Sequence, residues 1–240
     1  MRRFARTLGT LLIVAGVLTL AWVVVVWRWE DPFTAAYTHF EQSRLSHSYD
    51  KRAAAFHSSV SKGDLASVER QVADEARAYR KTLRPGDPLG RIHIGRIGLD
   101  MVVVQGTDHE TLKKGPGHYI ASGLPGEGHL IYIAGHRTTY LAPFAYINNI
   151  RVGDYVKLDV PYGTFTYRVT RHYVVSHDQV SVLRDHGQEI LRLQACHPRF
   201  FATNRYMVDA RLVAVSPRGA STYTPSNESH LAAAPTAAAS

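Results

Sequence analysis

An uncharged stretch near the N-terminus constrains this chain more than any other feature. It runs from Leu8 to Trp27, and about 20 residues of helix are enough to cross a hydrocarbon core of about 30 Å. The stretch is preceded by three arginines, Arg2, Arg3 and Arg6. The positive-inside rule then puts residues 1–7 in the cytoplasm, makes residues 8–27 a transmembrane anchor in the lipid bilayer, and puts the rest of the chain outside the cell.

A cleaved signal peptide is the alternative interpretation of this stretch. The apolar region of a signal peptide usually spans about 7–15 residues and ends at a small-x-small cleavage site. Here the apolar run is longer, and the sequence Trp27-Arg28-Trp29-Glu30 offers no such site. We therefore expect an uncleaved, single-pass anchor in the cell membrane.

Residues 28–82 connect the anchor to the following domain, and residues 32–82 within them have a helical composition. Apolar side chains recur at three- and four-residue steps and predict one buried stripe, formed by Leu65, Val68, Val72, Ala76 and Tyr79. The sequence Lys62-Gly63-Asp64 interrupts the pattern, so two helices are expected. The segment is interpreted as an extracellular stalk or linker, and the alternative is a helical pair that packs on the following domain or covers its active site.

From residue 83 onwards short strand patterns replace the helical one. Ile92 and Ile94 alternate with polar residues, Leu130 to Ala134 is a compact apolar run, and Pro161-Tyr162-Gly163 separates two alternating runs as in a hairpin. About eight short strands with few helices predict an all-β barrel or sandwich over residues 83–216. Residues 217–240 are rich in Ala, Ser, Thr and Pro, which predicts a disordered tail.

The charge distribution argues against a nucleic-acid partner. The net charge is +8, but residues 83–216 carry 15 Lys and Arg against 11 Asp and Glu, interspersed and without a basic run. No histidine and carboxylate cluster shows ligand-like spacing, so no metal and no cofactor are predicted.

The chain contains a single cysteine, Cys196, in an exported position where a free thiol is prone to oxidation. Free cysteines are usually small buried hydrophobes. In the strand around it, however, Leu191, Leu193 and Ala195 share one face, while Cys196 shares the other with Arg192 and Gln194. A thiol on the polar face at a strand end is placed like a nucleophile, which needs a base or a cationic partner.

Thirteen histidines leave that partner ambiguous. His136 ends a strand and follows a glycine, whereas His197 should point away from Cys196. Position alone also leaves open His118, His129, His172, His177 and His186.

Two motifs resemble the catalytic regions of sortases. The first includes Gly117-His118-Tyr119, Leu124-Pro125-Gly126 and the run from Ile133 to Tyr140, and the second is Leu193-Gln194-Ala195-Cys196 with Arg205 nine residues on. The runs Gly-His-Arg-Thr-Thr-Tyr and Cys-His-Pro-Arg-Phe are most similar to the class E sortases of high-GC Gram-positive bacteria. The resemblance, which covers about residues 89–215, implies an eight-stranded closed β-barrel with short helices behind an N-terminal anchor.

By this resemblance, Cys196 is the nucleophile of a cysteine transpeptidase, His136 its acid–base partner and Arg205 its arginine. Arg192 and Arg199 are the next candidates, although both are expected to be solvated surface charge. Substrate-binding positions are expected at Ala195, Thr138 and Tyr140. Such families usually carry threonine immediately before the cysteine, so Ala195 is a departure that removes one hydroxyl.

The resemblance also implies the reaction and the partners. The enzyme is expected to cleave secreted proteins between Thr and Gly of a C-terminal Leu-Ala-x-Thr-Gly or Leu-Pro-x-Thr-Gly signal, and to transfer them to an amine of a lipid-linked peptidoglycan precursor. The alternatives are a cysteine hydrolase of the same fold and a catalytically weak barrel that binds wall peptides.

Overall fold

A computed structural model of the chain describes residues 2–29 and 32–226. Four α-helices are present in that part, α1 (Arg2–Trp29), α2 (Pro32–Ala55), α3 (Leu65–Thr82) and α4 (His109–Leu112). Helix α1 contains the predicted anchor, and its residues Arg2–Val24 form a helix long and apolar enough to cross a membrane. None of that span is buried against the rest of the chain.

Eight strands form a closed barrel, as the resemblance implied. They are β1 (Pro88–Ile94), β2 (Leu99–Gln105), β3 (Gly117–His118), β4 (Leu130–Ala134), β5 (Tyr155–Val160), β6 (Gly163–Ser176), β7 (Ile190–His197) and β8 (Asn204–Pro217). The order around the barrel is β1-β2-β3-β4-β7-β8-β6-β5, and β5 pairs with β1 to close it. The β5–β6 hairpin turns at residues 160–163, where the sequence predicted it.

Alternation along the strands fills the barrel with aliphatic and aromatic side chains. On β7, Leu191, Leu193 and Ala195 all point inwards and are fully buried. Tyr167 and Phe165 do the same on β6. Because the period of a strand is two, the residues between them lie on the outer face, where the β4, β7 and β8 side chains build the site.

Helix α3 contributes to the same core. Its predicted stripe is buried from Val68 to Tyr79, with Ala76 and Val72 packed in the main hydrophobic cluster of the barrel, whereas Leu65 at the start of the helix is exposed. The Tyr79 hydroxyl donates a hydrogen bond of 2.9 Å to the carbonyl of Leu89 on β1. Asp64 caps the helix by accepting from Ser67 N, at the break that the sequence predicted.

Helix α2 also lies on the barrel. Gln42 bonds both backbone groups of Val102, donating to its carbonyl at 3.0 Å and accepting from its amide at 2.8 Å. Tyr49 donates to the carbonyl of Asp159 on β5. The segment that was expected to form a stalk therefore packs on the domain, which agrees with the alternative interpretation of a helical pair. The reason is that the apolar stripe of α3 is buried only in contact with the barrel.

The chain continues in contact with the barrel beyond residue 216. Arg218 N donates to the carbonyl of Tyr162, and Tyr223 pairs with Val215 through two backbone hydrogen bonds of 2.9 Å. Ser226 N donates to Glu69 of α3. The expectation of disorder is thus wrong for residues 217–226, because the half-buried Tyr223 packs against the core and holds this segment on the barrel. Residues 227–240, the rest of the expected tail, lie outside the described residues.

Candidate active site

The three residues carried over from the motifs, called the row below, lie at or just beyond the ends of three neighbouring strands. Strands β4 and β7 are parallel, with Ala134 opposite Gln194, and Gly135 N donates to the Gln194 carbonyl at 3.0 Å. Cys196 lies two residues beyond this pair on the outer face of β7, and His136 lies two residues beyond it in the loop that follows β4. On the other side of β7, Cys196 lies directly opposite Arg205 of β8. Directly opposed residues on adjacent strands have Cβ atoms about 4.5–5.5 Å apart.

Cys196 is half-buried and free. The residue before it, Ala195, is fully buried in the barrel core on the opposite face. A substrate contact at position 195 would therefore have to come from its backbone, because the methyl group points away from the row.

The His136 ring lies between the barrel and solvent and is half-buried. Its Nε2 atom is buried without a hydrogen-bond partner among the described residues. Burial lowers the pKa of His136, and the nearby charge of His109 lowers it further. At neutral pH the ring is therefore mainly neutral in the absence of a thiolate partner, with Nε2 or Nδ1 free to take a proton.

The backbone around His136 is held in a tight loop. A Cβ added to Gly135 would lie 2.7 Å from the Phe144 ring, so only glycine allows the fully buried phenylalanine to pack there. Phe144 N donates back to the His136 carbonyl at 3.0 Å. Tyr140 and the two residues after it have positive φ angles of 55°, 57° and 35°, an arrangement that costs energy in non-glycine residues and is held by its surroundings.

Of the two substrate-binding candidates on this loop, Tyr140 is close to the row. Its ring centroid is 5.2 Å from that of His136, and its amide donates to Thr34 of α2 at 3.2 Å. Helix α2 thus contacts the loop that carries the histidine. Thr138 lies between them on the same loop and is half-buried.

Arg205 has the expected place but bonds to its own turn. Its Nη1 donates to the carbonyls of Ala202 at 2.8 Å and Asn204 at 3.0 Å. The side chain shares the outer face with Cys196, within reach of a substrate that lies across β7 and β8. Arg199, the third candidate, lies over the rings of Tyr146 and Phe200.

Arg192, the second candidate, has a structural partner instead. It was expected as solvated surface charge, yet its side chain is only 7% exposed and forms a bidentate ion pair with Asp209. Its remaining nitrogen donates to the carbonyl of Val182, in the segment between β6 and β7. The ion pair therefore attaches that segment to the outer face of the barrel.

The alternative histidines have other partners or lie at exposed positions. His118 is fully buried, bonded to Gln105 and to the Gly123 carbonyl, and burial lowers its pKa to about 4. His129 pairs with Asp185, and His197 contacts Arg137 on the far side of the strand. The remaining three lie on exposed positions, His172, His177 and His186.

Arg137 is a residue of this site that the sequence reasoning missed. It is 7% exposed and donates to the Cys196 carbonyl at 3.2 Å. It also donates to His197 Nδ1 at 3.0 Å and to Asn148 Oδ1 at 2.5 Å. Its position immediately after His136 in the motif is the signal that could have revealed it.

A second apolar cluster extends from the row along the outer face. Its buried members are Tyr132, Ala134, Val175 and Met207. Val182 and Leu183 of the β6–β7 segment pack against them, together with Tyr119. Within the described part of the chain, no group of three or more His, Cys, Asp or Glu side chains is placed to hold a metal ion.

Comparison with known proteins identifies the family. The sequence model of the Sortase domain family matches residues 92–213. Sortase D of Bacillus subtilis (strain 168) is 32% identical over 154 residues, which cover 62% of this chain and 76% of that protein.

Solved structures show the same fold. A Clostridium perfringens sortase D5 transpeptidase superimposes with a TM-score of 0.59 over 72% of this chain and 98% of that one, at 22% identity. Sortase E1 from Streptomyces coelicolor, solved with a tripeptide in its active site, gives 0.53 over 57% of this chain and 94% of that one, at 25% identity. The outer-face row thus lies on the barrel of a known enzyme family, and the chain belongs to the sortases, which are cysteine transpeptidases.

Proposed function

We propose that this sortase is anchored in the membrane, cleaves a C-terminal sorting signal through a thioacyl intermediate on Cys196, and transfers the secreted protein to a cell-wall amine. The proposal is supported by the strand register: Cys196 of β7 lies opposite Arg205 of β8, and His136 follows β4, which pairs with β7 on its other side. These are the groups that acyl transfer needs: a nucleophile, an acid–base group and a cation near the developing oxyanion.

In the acylation step, the Cys196 thiolate attacks the carbonyl carbon of threonine in the signal, and a carbon–sulfur bond forms. The carbonyl oxygen takes the negative charge, and Arg205 stabilises it or orients the substrate backbone. The carbon–nitrogen bond then breaks, and the His136 imidazolium gives its proton to the leaving glycine amine. The products are a thioester and a neutral imidazole.

In the transfer step, the amine of a lipid-linked peptidoglycan precursor attacks the thioester. His136 accepts the proton that the amine loses, the carbon–sulfur bond breaks, and the Cys196 thiolate is restored. A new amide links the protein to the wall precursor. Water in place of the amine would give hydrolysis, so the acceptor decides between the two outcomes.

The signal is proposed to be of the Leu-Ala-x-Thr-Gly or Leu-Pro-x-Thr-Gly type. Its apolar residues would pack along the outer-face cluster of Ala134, Val182 and Leu183, which continues from the row. A class E assignment rests on the Gly-His-Arg-Thr-Thr-Tyr and Cys-His-Pro-Arg-Phe runs. The tripeptide in the active site of the Streptomyces coelicolor relative supports a peptide ligand.

The main experiment uses the full chain in mild detergent, because removal of residues before 83 would strip Ala76 and Tyr79 from the core. A fluorogenic signal peptide is cleaved with and without an amine acceptor. We expect cleavage, a transfer product that contains the acceptor, and a covalent thioacyl adduct by mass spectrometry. Cleavage without any effect of the acceptor would favour the hydrolase.

Cys196→Ala is the critical variant, since a half-buried residue at a strand end contributes little to the core. It should fold and form no adduct, and cleavage at the wild-type rate would refute the cysteine mechanism. Arg168→Gln, a change at an exposed arginine on β6, is the matched control and should leave the rate unchanged.

The membrane orientation has its own test. Protease added to intact cells should degrade an epitope in the barrel, while an epitope placed before Arg2 stays protected. Protection of the barrel epitope would reverse the orientation inferred from the N-terminal arginines.

A further inference from the structure

Arg137 joins the two halves of the site. It lies in the loop immediately after His136, and its guanidinium reaches across to the end of β7. There Nη1 donates to the carbonyl of Cys196 at 3.2 Å and to Nδ1 of His197 at 3.0 Å. The histidine loop and the cysteine strand are thus tied by one side chain.

The guanidinium is fixed from its other side as well. Nη2 donates to Asn148 Oδ1 at 2.5 Å, and the plane lies over the Tyr206 ring, with the central carbon 5.9 Å from the ring centre. The side chain is 7% exposed. Its hydrogen-bond partners Cys196 O, Ala145 O, His197 Nδ1 and Asn148 Oδ1 are all acceptors and none is a carboxylate, so within the described residues it forms no salt bridge.

A buried cation with only neutral partners next to a thiol has an electrostatic consequence. An opposite charge within about 4–6 Å favours the ionised form of a group. The guanidinium, which donates to the carbonyl of Cys196, also interacts electrostatically with that residue: burial and the charge of Arg199 lower the pKa of Arg137, whereas Tyr206 and Cys196 raise it. Arg205, by contrast, donates to two carbonyls of its own turn.

We propose that Arg137 is a positioning residue that holds Cys196 against the histidine loop and stabilises its thiolate through a fixed positive charge. The proposal rests on the function proposed above, in which Cys196 is the nucleophile. In this proposal the two arginines have different roles. Arg137 acts on the nucleophile before the substrate binds, and Arg205 acts on the substrate.

The test reads the thiol directly. Cys196 is the only cysteine in the chain, so the rate of alkylation by iodoacetamide as a function of pH reports its ionisation. In Arg137→Gln, which can still donate to the carbonyl, the midpoint of this profile should rise by about one pH unit, which corresponds to about tenfold slower alkylation below the midpoint. In Arg137→Lys, which keeps the charge and loses the planar fork, the midpoint should stay near that of the wild type, while peptide cleavage slows.

Two further variants complete the design. Arg168→Gln removes an exposed arginine of β6 and should leave the profile unchanged. Asn148→Ala removes one anchor of the guanidinium at an exposed position, and it should raise the midpoint by less than Arg137→Gln does. This variant carries the test if Arg137→Gln does not fold.

An unchanged midpoint in folded Arg137→Gln, or in Asn148→Ala where the former is unfolded, would overturn the proposal. So would an equal rise in Arg137→Gln and Arg137→Lys, because the charge would then be irrelevant. Alkylation does not depend on a sorting peptide. A failure of the proposed function would therefore appear as absent peptide cleavage with the alkylation results still readable.

Discussion

The Asp209→Asn substitution should destabilise this protein more than any other single change of one charge on its outer face. Asp209 is 2% exposed and accepts from Arg192 at 2.6 and 2.8 Å, and from Arg171 at 2.8 Å. Burial lowers the pKa of Arg192, but the bond and charge of Asp209 outweigh that effect, so the pKa is raised. The asparagine removes the anion and leaves the buried guanidinium in place.

The two ion pairs of Asp209 should differ in their contributions. Removing one partner of a buried pair costs about 3–5 kcal/mol, because the other charge stays buried without compensation. Arg171 is 62% exposed, and an exposed pair contributes about 0–1 kcal/mol. We expect Asp209→Asn to lower the free energy of unfolding by about 3 kcal/mol, near the lower limit because asparagine keeps one acceptor oxygen. For a domain of this size that is a fall in Tm of about 6–12 °C.

The assay is thermal unfolding of the full chain in detergent, followed by the near-UV circular dichroism of the tyrosines. Tryptophan fluorescence would be uninformative about the barrel, because Trp22, Trp27 and Trp29 all belong to the N-terminal segment. Arg171→Gln is the matched control and should change Tm by no more than a few degrees. Refutation would be a loss below about 1 kcal/mol for Asp209→Asn, or equal losses for the two variants.

The same variant should weaken peptide binding, since Arg192 also holds the β6–β7 segment through the carbonyl of Val182. KM should rise more than kcat falls. A double variant, Arg192→Met with Asp209→Leu, removes both charges, and it should recover part of the stability without recovering KM.

Two further outcomes follow from buried positions. His118 has a folded-state pKa of about 4 against an ordinary value of 6.5, so its contribution to stability is complete above pH 6.5 and is lost as the pH falls to 4. The free energy of unfolding should decrease by about 3 kcal/mol over that window, and His118→Gln should show a flatter pH dependence in the same unfolding assay. Ala195→Thr places a hydroxyl in the core and should cost about 1–3 kcal/mol in stability. It should change kcat/KM by no more than about tenfold, and a larger change in steady-state assays would point to a direct substrate contact.

Local patterns predicted much of this fold. The alternation on β7 is a property of eight consecutive residues, and it correctly put Cys196 on the face opposite to Leu193. The stripe on α3 and the break before it are equally local. Features of this kind depend on backbone geometry within one element, so a single sequence contains the information.

Contacts between distant elements could not be predicted in this way. Arg192 looked like surface charge because its partner, Asp209, lies 17 residues later on a neighbouring strand, and only the register of β7 and β8 opposes them. Arg137 reaches Cys196 across 59 residues for the same reason. The chain after residue 216 was expected to be disordered because Tyr223 is a single large apolar residue in a polar segment. Its position depends on backbone hydrogen bonds with Val215 of β8, which the local sequence does not reveal.

The pH profile of peptide cleavage should reflect the environment of His136. If cleavage needs the Cys196 thiolate and the His136 imidazolium together, kcat/KM is bell-shaped, with apparent pKa values that belong to the pair. Burial lowers the pKa of His136, and the charge of His109 lowers it further. Because His136 is mainly neutral at neutral pH, its pKa sets the acid limb. His109→Gln removes the smaller of the two causes that lower this pKa and should move the acid limb to higher pH. The alkaline limb should stay in place, since the imidazole of His109 is uncharged at alkaline pH and its removal changes no charge in that range. His93→Gln, at an exposed position on β1, is the control and should move neither limb. An acid limb that moves to lower pH in His109→Gln would mean that another group sets it, and His136 would lose its assignment as the acid.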